Sequence, residues 1–179
     1  MSHRIIVKKF GSDNDEYDPE MHPNPKINKI WPKLEEKFKK LYTPERDITI
    51  DESLLLSKGR HQFNPQKRAR FGIKTFIISE SRSGYLWSTI IYSGKGTLFD
   101  DEFKDKPMSS QAVMTLMKPL LDKGYCLIME NFYMSPEFTE WLISHSSNTY
   151  GTLRRTRRGI PKELETIHSC SFILQITTN

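Results

Sequence analysis

The stretch Phe71-Gly72-Ile73-Lys74-Thr75-Phe76-Ile77-Ile78-Ser79, then Ser81-Arg82-Ser83-Gly84, then Tyr85-Leu86-Trp87-Ser88-Thr89-Ile90-Ile91-Tyr92-Ser93 decides the fold class. Both long runs are rich in β-branched and aromatic residues, and both are apolar on two faces. Phe71, Ile73 and Ile77 oppose Phe76 and Ile78; Tyr85, Trp87 and Ile91 oppose Leu86 and Ile90. Successive strand residues point to opposite faces, so this pattern predicts central strands covered on both sides. The short polar link between them predicts a hairpin.

Upstream, residues 11 to 26 read as loop, with Gly11, Pro19, Pro23 and Pro25 and little apolar content. Ile27, Ile30, Trp31, Leu34, Phe38 and Leu41 then recur on one face of a 3.6-residue period and predict a helix. Pro32 fits only a first turn, so the regular helix is expected to begin near it. Asp47 to Leu56 alternates as a strand, with Ile48 and Ile50 on one face and Thr49 and Asp51 on the other.

Downstream, Ser109 or Ser110 can cap a helix reaching about Asp122, bent or shortened by Pro119 and stopped by Gly124. Tyr125 to Glu130 is the next strand. Ser135-Pro136 caps and opens another helix, and Asn148 to Leu153 is a further strand. Phe172-Ile173-Leu174 is strand-like and is assigned no place. A hairpin followed by strands alternating with helices argues for a mixed α/β sheet with helices packed on it.

Length and composition bound the function. At 179 residues the chain is about one domain, and ten Phe, seven Tyr and three Trp are too many for a disordered tail. No apolar run approaches a membrane span, so no membrane partner is expected. Cys126 and Cys170 alone cannot build a disulfide framework or a four-cysteine zinc site, and no zinc is expected. The net charge of +5 is unevenly spread. Acid gathers at 13 to 20 and 100 to 105. Ser53 to Ser79 and Trp141 to Lys162 hold no acid. These two stretches carry the candidate phosphate contacts: Lys67, Arg68, Arg70 and Lys74 in the first, Arg154, Arg155, Arg157 and Arg158 in the second. Lys and Arg beside phosphates release counterions, which is why such stretches suit a polyanion; a solvated surface is the commoner meaning of such runs.

Two carboxylates stand out by position. Asp51 lies toward the end of the first strand and Glu130 at the end of the strand after the long helix, each preceded by apolar residues. A carboxylate there must face solvent, pair with a base or hold a cation. Two converging carboxylates can hold Mg²⁺ or Mn²⁺, which keeps room for water and substrate phosphates. The plainer alternative is that both simply end strands and begin turns. Gly94-Lys95-Gly96-Thr97 lacks the spacing of a phosphate-binding loop, and the histidines lack metal-ligand spacing.

Several ordered blocks resemble the piggyBac-type transposases. They are Ile50-Asp51-Glu52-Ser53-Leu54 with Lys58-Gly59-Arg60; Pro65 to Lys74; Ser83-Gly84-Tyr85; Tyr92 to Gly96; and Leu120 to Tyr125. Glu130-Asn131-Phe132-Tyr133-Met134-Ser135-Pro136-Glu137, Gly151-Thr152-Leu153-Arg154 and Gly159 to Leu164 continue the series. The resemblance runs from about residue 5 to 164. It implies an RNase H-like mixed sheet with flanking helices, C-terminally incomplete. The implied organisation is an irregular N-terminal segment at 1–26, a partial transposase core at 27–164 and a divergent tail at 165–179. It further implies a nuclear protein that cuts and rejoins DNA with three aspartates and divalent metal. Asp51 matches the first of these. Glu130 stands at the second, where the family has Asp; the extra methylene shifts its oxygens by about an ångström, a demand on a site built for octahedral Mg²⁺. The third matching position lies beyond Asn179. The expectation is therefore a DNA-binding transposase fragment, possible as a dimer, not competent for transposition alone. The alternatives are an active metal-dependent transposase whose sequence continues, and a mobile-element relic without activity.

Overall fold

The computed structural model describes residues 25–56, 62–63, 71–92, 94, 97–154, 156–160 and 171–176. Its elements in chain order are α1 (Pro25–Leu41), β1 (Asp47–Leu56), β2 (Gln62–Phe63), β3 (Phe71–Glu80) and β4 (Leu86–Tyr92). There follow α2 (Met108–Met117), β5 (Cys126–Met129), α3 (Pro136–Ser144), β6 (Asn148–Arg154) and β7 (Ser171–Ile176). All seven strands form one sheet in the order β2-β3-β1-β5-β6-β7, with β4 also paired to β3. β1, β3 and β4 make an antiparallel meander. β1–β5 and β5–β6 are parallel, and β7 runs antiparallel to β6. The α/β mixed sheet with flanking helices is thus present, and the unassigned Phe172-Ile173-Leu174 belongs to its last strand.

The register sorts the side chains. Ile48 and Ile50 of β1 pair with Glu80 and Ile78 of β3 and with Leu127 and Met129 of β5. With Phe76 and Leu153 these form one face of the sheet, every one of them buried. α2 lies against β3 and β4, and α3 against β6. Val113, Leu116 and Met117 of α2 and Phe138 and Leu142 of α3 complete the same core. The opposite face is more open: Thr49, Ile77, Cys126 and Ile128 are half-buried, and Asp51 and Tyr150 are exposed.

Three expectations are corrected. First, α1 does not start near Pro32; it starts at Pro25, with Pro32 inside it on an exposed position. A proline there forfeits one amide hydrogen bond, and Pro25 is tolerated at the helix start, where the amide would be unpaired anyway. Second, Ser109 and Ser110 do not cap α2. Pro107 is the N-cap, without a side-chain hydrogen bond, and Gln111 N donates to the Pro107 carbonyl at 2.9 Å. The helix also stops at Met117 and passes into a 3₁₀ turn at Lys118–Leu120, as Pro119 requires. Third, β4 is not a central strand: among the described residues only β3 pairs with it. Its two-sided apolarity arises because α1 covers it. Glu35 accepts from the Ser88 hydroxyl and from Thr89 N at 3.4 Å, and Lys39 Nζ lies 5.2 Å from the Trp87 ring centre. Covering an edge strand in this way removes a template for unwanted pairing. The helix is rotated to serve that contact, so Ile30, Leu34 and Leu41 of the apolar stripe remain 42%, 36% and 78% exposed.

A buried carboxylate ties this region together. Glu80, at the end of β3, is 1% exposed. It accepts from the Ser83 hydroxyl, from Tyr42 Oη at 2.7 Å and from Glu45 N at 2.8 Å. One side chain thereby joins the hairpin turn to the segment linking α1 and β1. The Ser83 bond above all, then those from Tyr42 and Glu45, hold its pKa down to about 2. The folded value lies below the unfolded one, so the ionised form stabilises the fold at neutral pH. That contribution is lost as pH falls from about 4.5 toward 2. Glu80→Gln is expected to lower the melting temperature at pH 7. The gap to wild type should narrow steadily between pH 4.5 and 2 in thermal melts; a pH-independent gap would refute this assignment.

Candidate functional site

The site follows from the β1–β5 register. The parallel ladder pairs Asp47 with Cys126 and ends at Ile50 opposite Met129. Ile50 and Met129 both point into the core, at 0% and 3% exposure. The next residues are Asp51, which alternation within β1 sends to the other face, and Glu130, the first residue after β5; both are exposed. The chain turns immediately after Glu130, whose carbonyl accepts Tyr133 N at 3.1 Å and Met134 N at 3.3 Å. Asp51 Oδ1 accepts Glu52 N at 2.7 Å. The structure therefore brings together the two carboxylates singled out from sequence.

The neighbouring acid has a different fate. Glu52 points to the core face, forms an ion pair with Lys74 Nζ at 2.8 Å and accepts from Tyr133 Oη at 3.3 Å. Lys74 also lies 4.9, 5.6 and 5.6 Å from the ring centres of Phe76, Tyr92 and Phe132, distances that suit cation–π attraction. Tyr133 is 3% exposed. Its pKa is raised, first by burial and then by the charges of Glu52, Asp51 and Glu130. One phenol thus senses all three carboxylates, which places them in a single electrostatic neighbourhood.

Neither Asp51 nor Glu130 forms an ion pair among the described residues. Two carboxylates side by side at the end of the parallel ladder repel each other, and a divalent cation relieves that repulsion. The pair therefore fits a Mg²⁺ or Mn²⁺ ligand set that leaves positions for water or phosphate. Among the described residues, no group of three His, Cys, Asp or Glu side chains adds a further ligand.

The basic candidates divide. Lys74 is held inside by Glu52 and the aromatic rings. Arg157 is turned toward the protein and donates to backbone carbonyls of the turn after Glu130. Arg154 is exposed and donates to Asn131 Oδ1 at 2.9 Å. Arg158 is exposed and has no partner among the described residues. Lys67, Arg68, Arg70 and Arg155 lie outside the described residues. Glu52 and Tyr133 were not singled out as site residues from sequence. The available signal was Glu52 itself: a charge on the apolar face of a strand needs a partner, and Lys74 lies on the same face of the next strand.

Comparison with known proteins bears on this geometry. The family described as Transposase IS4 matches residues 6–175. A piggyBac transposase, solved by cryo-electron microscopy in a synaptic complex with hairpin DNA, superposes with a TM-score of 0.73 at 26% identity. The match covers 84% of this chain and 32% of that one, so this chain spans about a third of the length of that transposase. An endonuclease V from Bacillus subtilis aligns at TM-score 0.23 and 8% identity, over 76% of this chain and 60% of that one, a likeness too low to bear on fold or chemistry.

The β5–β6 pairing supports Glu130 from the far side. Gly151 pairs with Met129, and a Cβ there would lie 1.9 Å from the Met129 carbonyl oxygen. Because the obstacle is backbone, relief requires the strands to part. Gly151→Ala is expected to cost about 3 kcal/mol, the upper end of ordinary overpacking. Denaturant titration will measure it; a loss below about 1 kcal/mol would mean the strands are not this closely apposed.

Proposed function

The chain belongs to the IS4-type transposase family with a piggyBac-type, RNase H-like core, and from that premise we propose that it binds DNA but does not transpose alone. The observation that carries the reading is the placement of Asp51 and Glu130 side by side where the parallel β1–β5 ladder ends. Asp51 and Glu130 would hold the divalent ion. When bound, such an ion activates a water or hydroxyl and stabilises the leaving oxygen of a phosphodiester. The protein's own part is to keep two carboxylates side by side, exposed to substrate and backed by a rigid sheet.

DNA is proposed to lie along the basic segments, with Lys67, Arg68, Arg70, Arg154, Arg155 and Arg158 contacting phosphates. Lys74 and Arg157, already engaged within the protein, are left out of that set. The nucleus is the compartment in which such a protein would meet its DNA. The proposal that strand transfer needs more than this pair is supported by two facts. The resemblance implies three carboxylates, and among the described residues no third one joins the pair as a metal ligand, the nearby Glu52 being engaged by Lys74 and Tyr133. The competing reading, metal-dependent cleavage by the chain itself, is favoured because no ion pair engages Asp51 or Glu130 among the described residues.

Two measurements test the proposal. Duplex DNA binding, followed by anisotropy, should weaken about a thousandfold between 50 and 200 mM salt if all six cations contact phosphate, with little sequence preference. Affinity that ignores salt would count against DNA binding. Incubation of labelled duplex with Mg²⁺ or Mn²⁺ should give no nicked or joined product. A product that vanishes in Asp51→Ala would establish the competing reading.

A further inference from the structure

We propose that Arg157 is a positioning residue that holds Glu130 in register with Asp51, and not a phosphate contact. Its guanidinium converges on one turn. Nε donates to the Met134 carbonyl at 3.0 Å, and Nη2 donates to the carbonyls of Phe132 at 2.9 Å and Asn131 at 2.5 Å. These are the residues that follow Glu130. The turn also closes on Glu130 itself, whose carbonyl takes the amides of Tyr133 and Met134. Amides of the turn thus point back to the carboxylate residue, and the carbonyls of Asn131, Phe132 and Met134 point to Arg157.

The arrangement suits arginine and no other side chain. A planar guanidinium presents five donors in a fixed fork and can serve several carbonyls at once; an ammonium is a single point. Burial lowers the Arg157 pKa, aided by the charge of Arg154, yet an arginine remains charged at any physiological pH. Burying a cation against carbonyl dipoles is tolerable because Nε and Nη2 donate to three of them. The backbone bond from Arg157 N to the Arg154 carbonyl, at 3.0 Å, sets the turn that aims the guanidinium.

The other side of the Glu130 turn is fixed independently. The Tyr133 ring packs 6.4 Å from Phe76 and 5.0 Å from Phe132, and its hydroxyl donates to Glu52. Glu130 therefore projects from a turn gripped on one side by Tyr133 and on the other by Arg157. Only the second grip comes from the segment after β6. The inference rests on the two-carboxylate reading above, since a positioning role needs a carboxylate pair to position.

The test uses the full chain with Mn²⁺ as probe. Binding is read from loss of the free-ion paramagnetic signal, and amide hydrogen exchange is read in parallel. Both Arg157→Lys and Arg157→Gln should weaken Mn²⁺ binding by about tenfold or more, the usual effect of losing a group that orients a ligand. Exchange should accelerate at Tyr133 and Met134 while β1 and β5 amides stay protected. The sign is diagnostic: by charge alone, removing a cation near a dication site strengthens metal binding, so weakening in Arg157→Gln identifies the brace. Wild-type affinity in Arg157→Lys, or unchanged exchange at Tyr133 and Met134, overturns the proposal. Asp51→Asn separates the two claims. If it leaves wild-type Mn²⁺ affinity unaltered, the two-carboxylate reading fails. Exchange at Tyr133 and Met134 then still decides whether Arg157 holds the turn.

Discussion

The short parallel ladder between β1 and β5 is the constraint on which the rest of the structure depends. Among the described residues it is the one seam joining the antiparallel half of the sheet, β2, β4, β3 and β1, to the β5, β6 and β7 half. Four residue pairs carry it, from Asp47–Cys126 to Ile50–Met129. Its lower end is tied by Cys126 N to the Arg46 carbonyl at 2.8 Å and by Tyr125 Oη to the Pro44 carbonyl at 3.3 Å. Its middle is sealed by Ile48, Ile50 and Leu127, none of them exposed. Because strand alternation has a period of two, a one-residue slip would turn Asp51 and Glu130 into the core and the isoleucines out. Core burial therefore fixes the placement of both carboxylates.

The acids of this sheet show two contrasting treatments. Glu80 and Glu52 are drawn inward and satisfied, Glu80 by three neutral donors and Glu52 by Lys74 and Tyr133. Burying an acid is costly unless its charge is met, and in both cases it is met. Asp51 and Glu130 are exposed and form no ion pair among the described residues. Such repulsion is tolerable only where water or an ion screens it. The contrast matters most at Asp51 and Glu52, adjacent residues on opposite faces: one is an internal anchor and the other is free to meet a ligand.

Much of this was legible in the sequence. Alternation in Asp47 to Leu56, the hairpin at Ser81 to Gly84, the Ser135-Pro136 helix start and the strand-end position of Glu130 are local patterns, and each reports its own geometry; Asp51, expected toward the end of its strand, lies mid-strand because β3 keeps β1 paired as far as Leu56. What stayed hidden depends on partners distant in sequence. β4 reads as a central strand because a covered edge and a sheet interior look alike from one strand. Leu34 and Leu41 lie on the expected apolar face yet stay exposed, because periodicity gives a face but not its rotation, and α1 meets β4 through Glu35 and Lys39 instead. Lys74 and Arg157 read as phosphate contacts because a positive charge is visible in sequence while its acceptors are not. For Arg157 those acceptors are carbonyls more than twenty residues earlier.

That last point changes the meaning of the basic segment after β6. Arg154, Arg157 and Arg158 are close in sequence yet divide by direction: Arg157 faces the protein, and Arg158 faces solvent. Arg154, also exposed, is bonded to Asn131 beside the carboxylate turn. A polyanion approaching Asp51 and Glu130 meets like charge, and no affinity follows unless cations offset it. On the proposed reading, the outward arginines and a divalent ion supply that offset together, while Arg157 keeps the geometry into which both must fit. The same few residues after β6 then carry substrate attraction and site rigidity by different side chains. Counting their charges alone would overstate the number available to DNA.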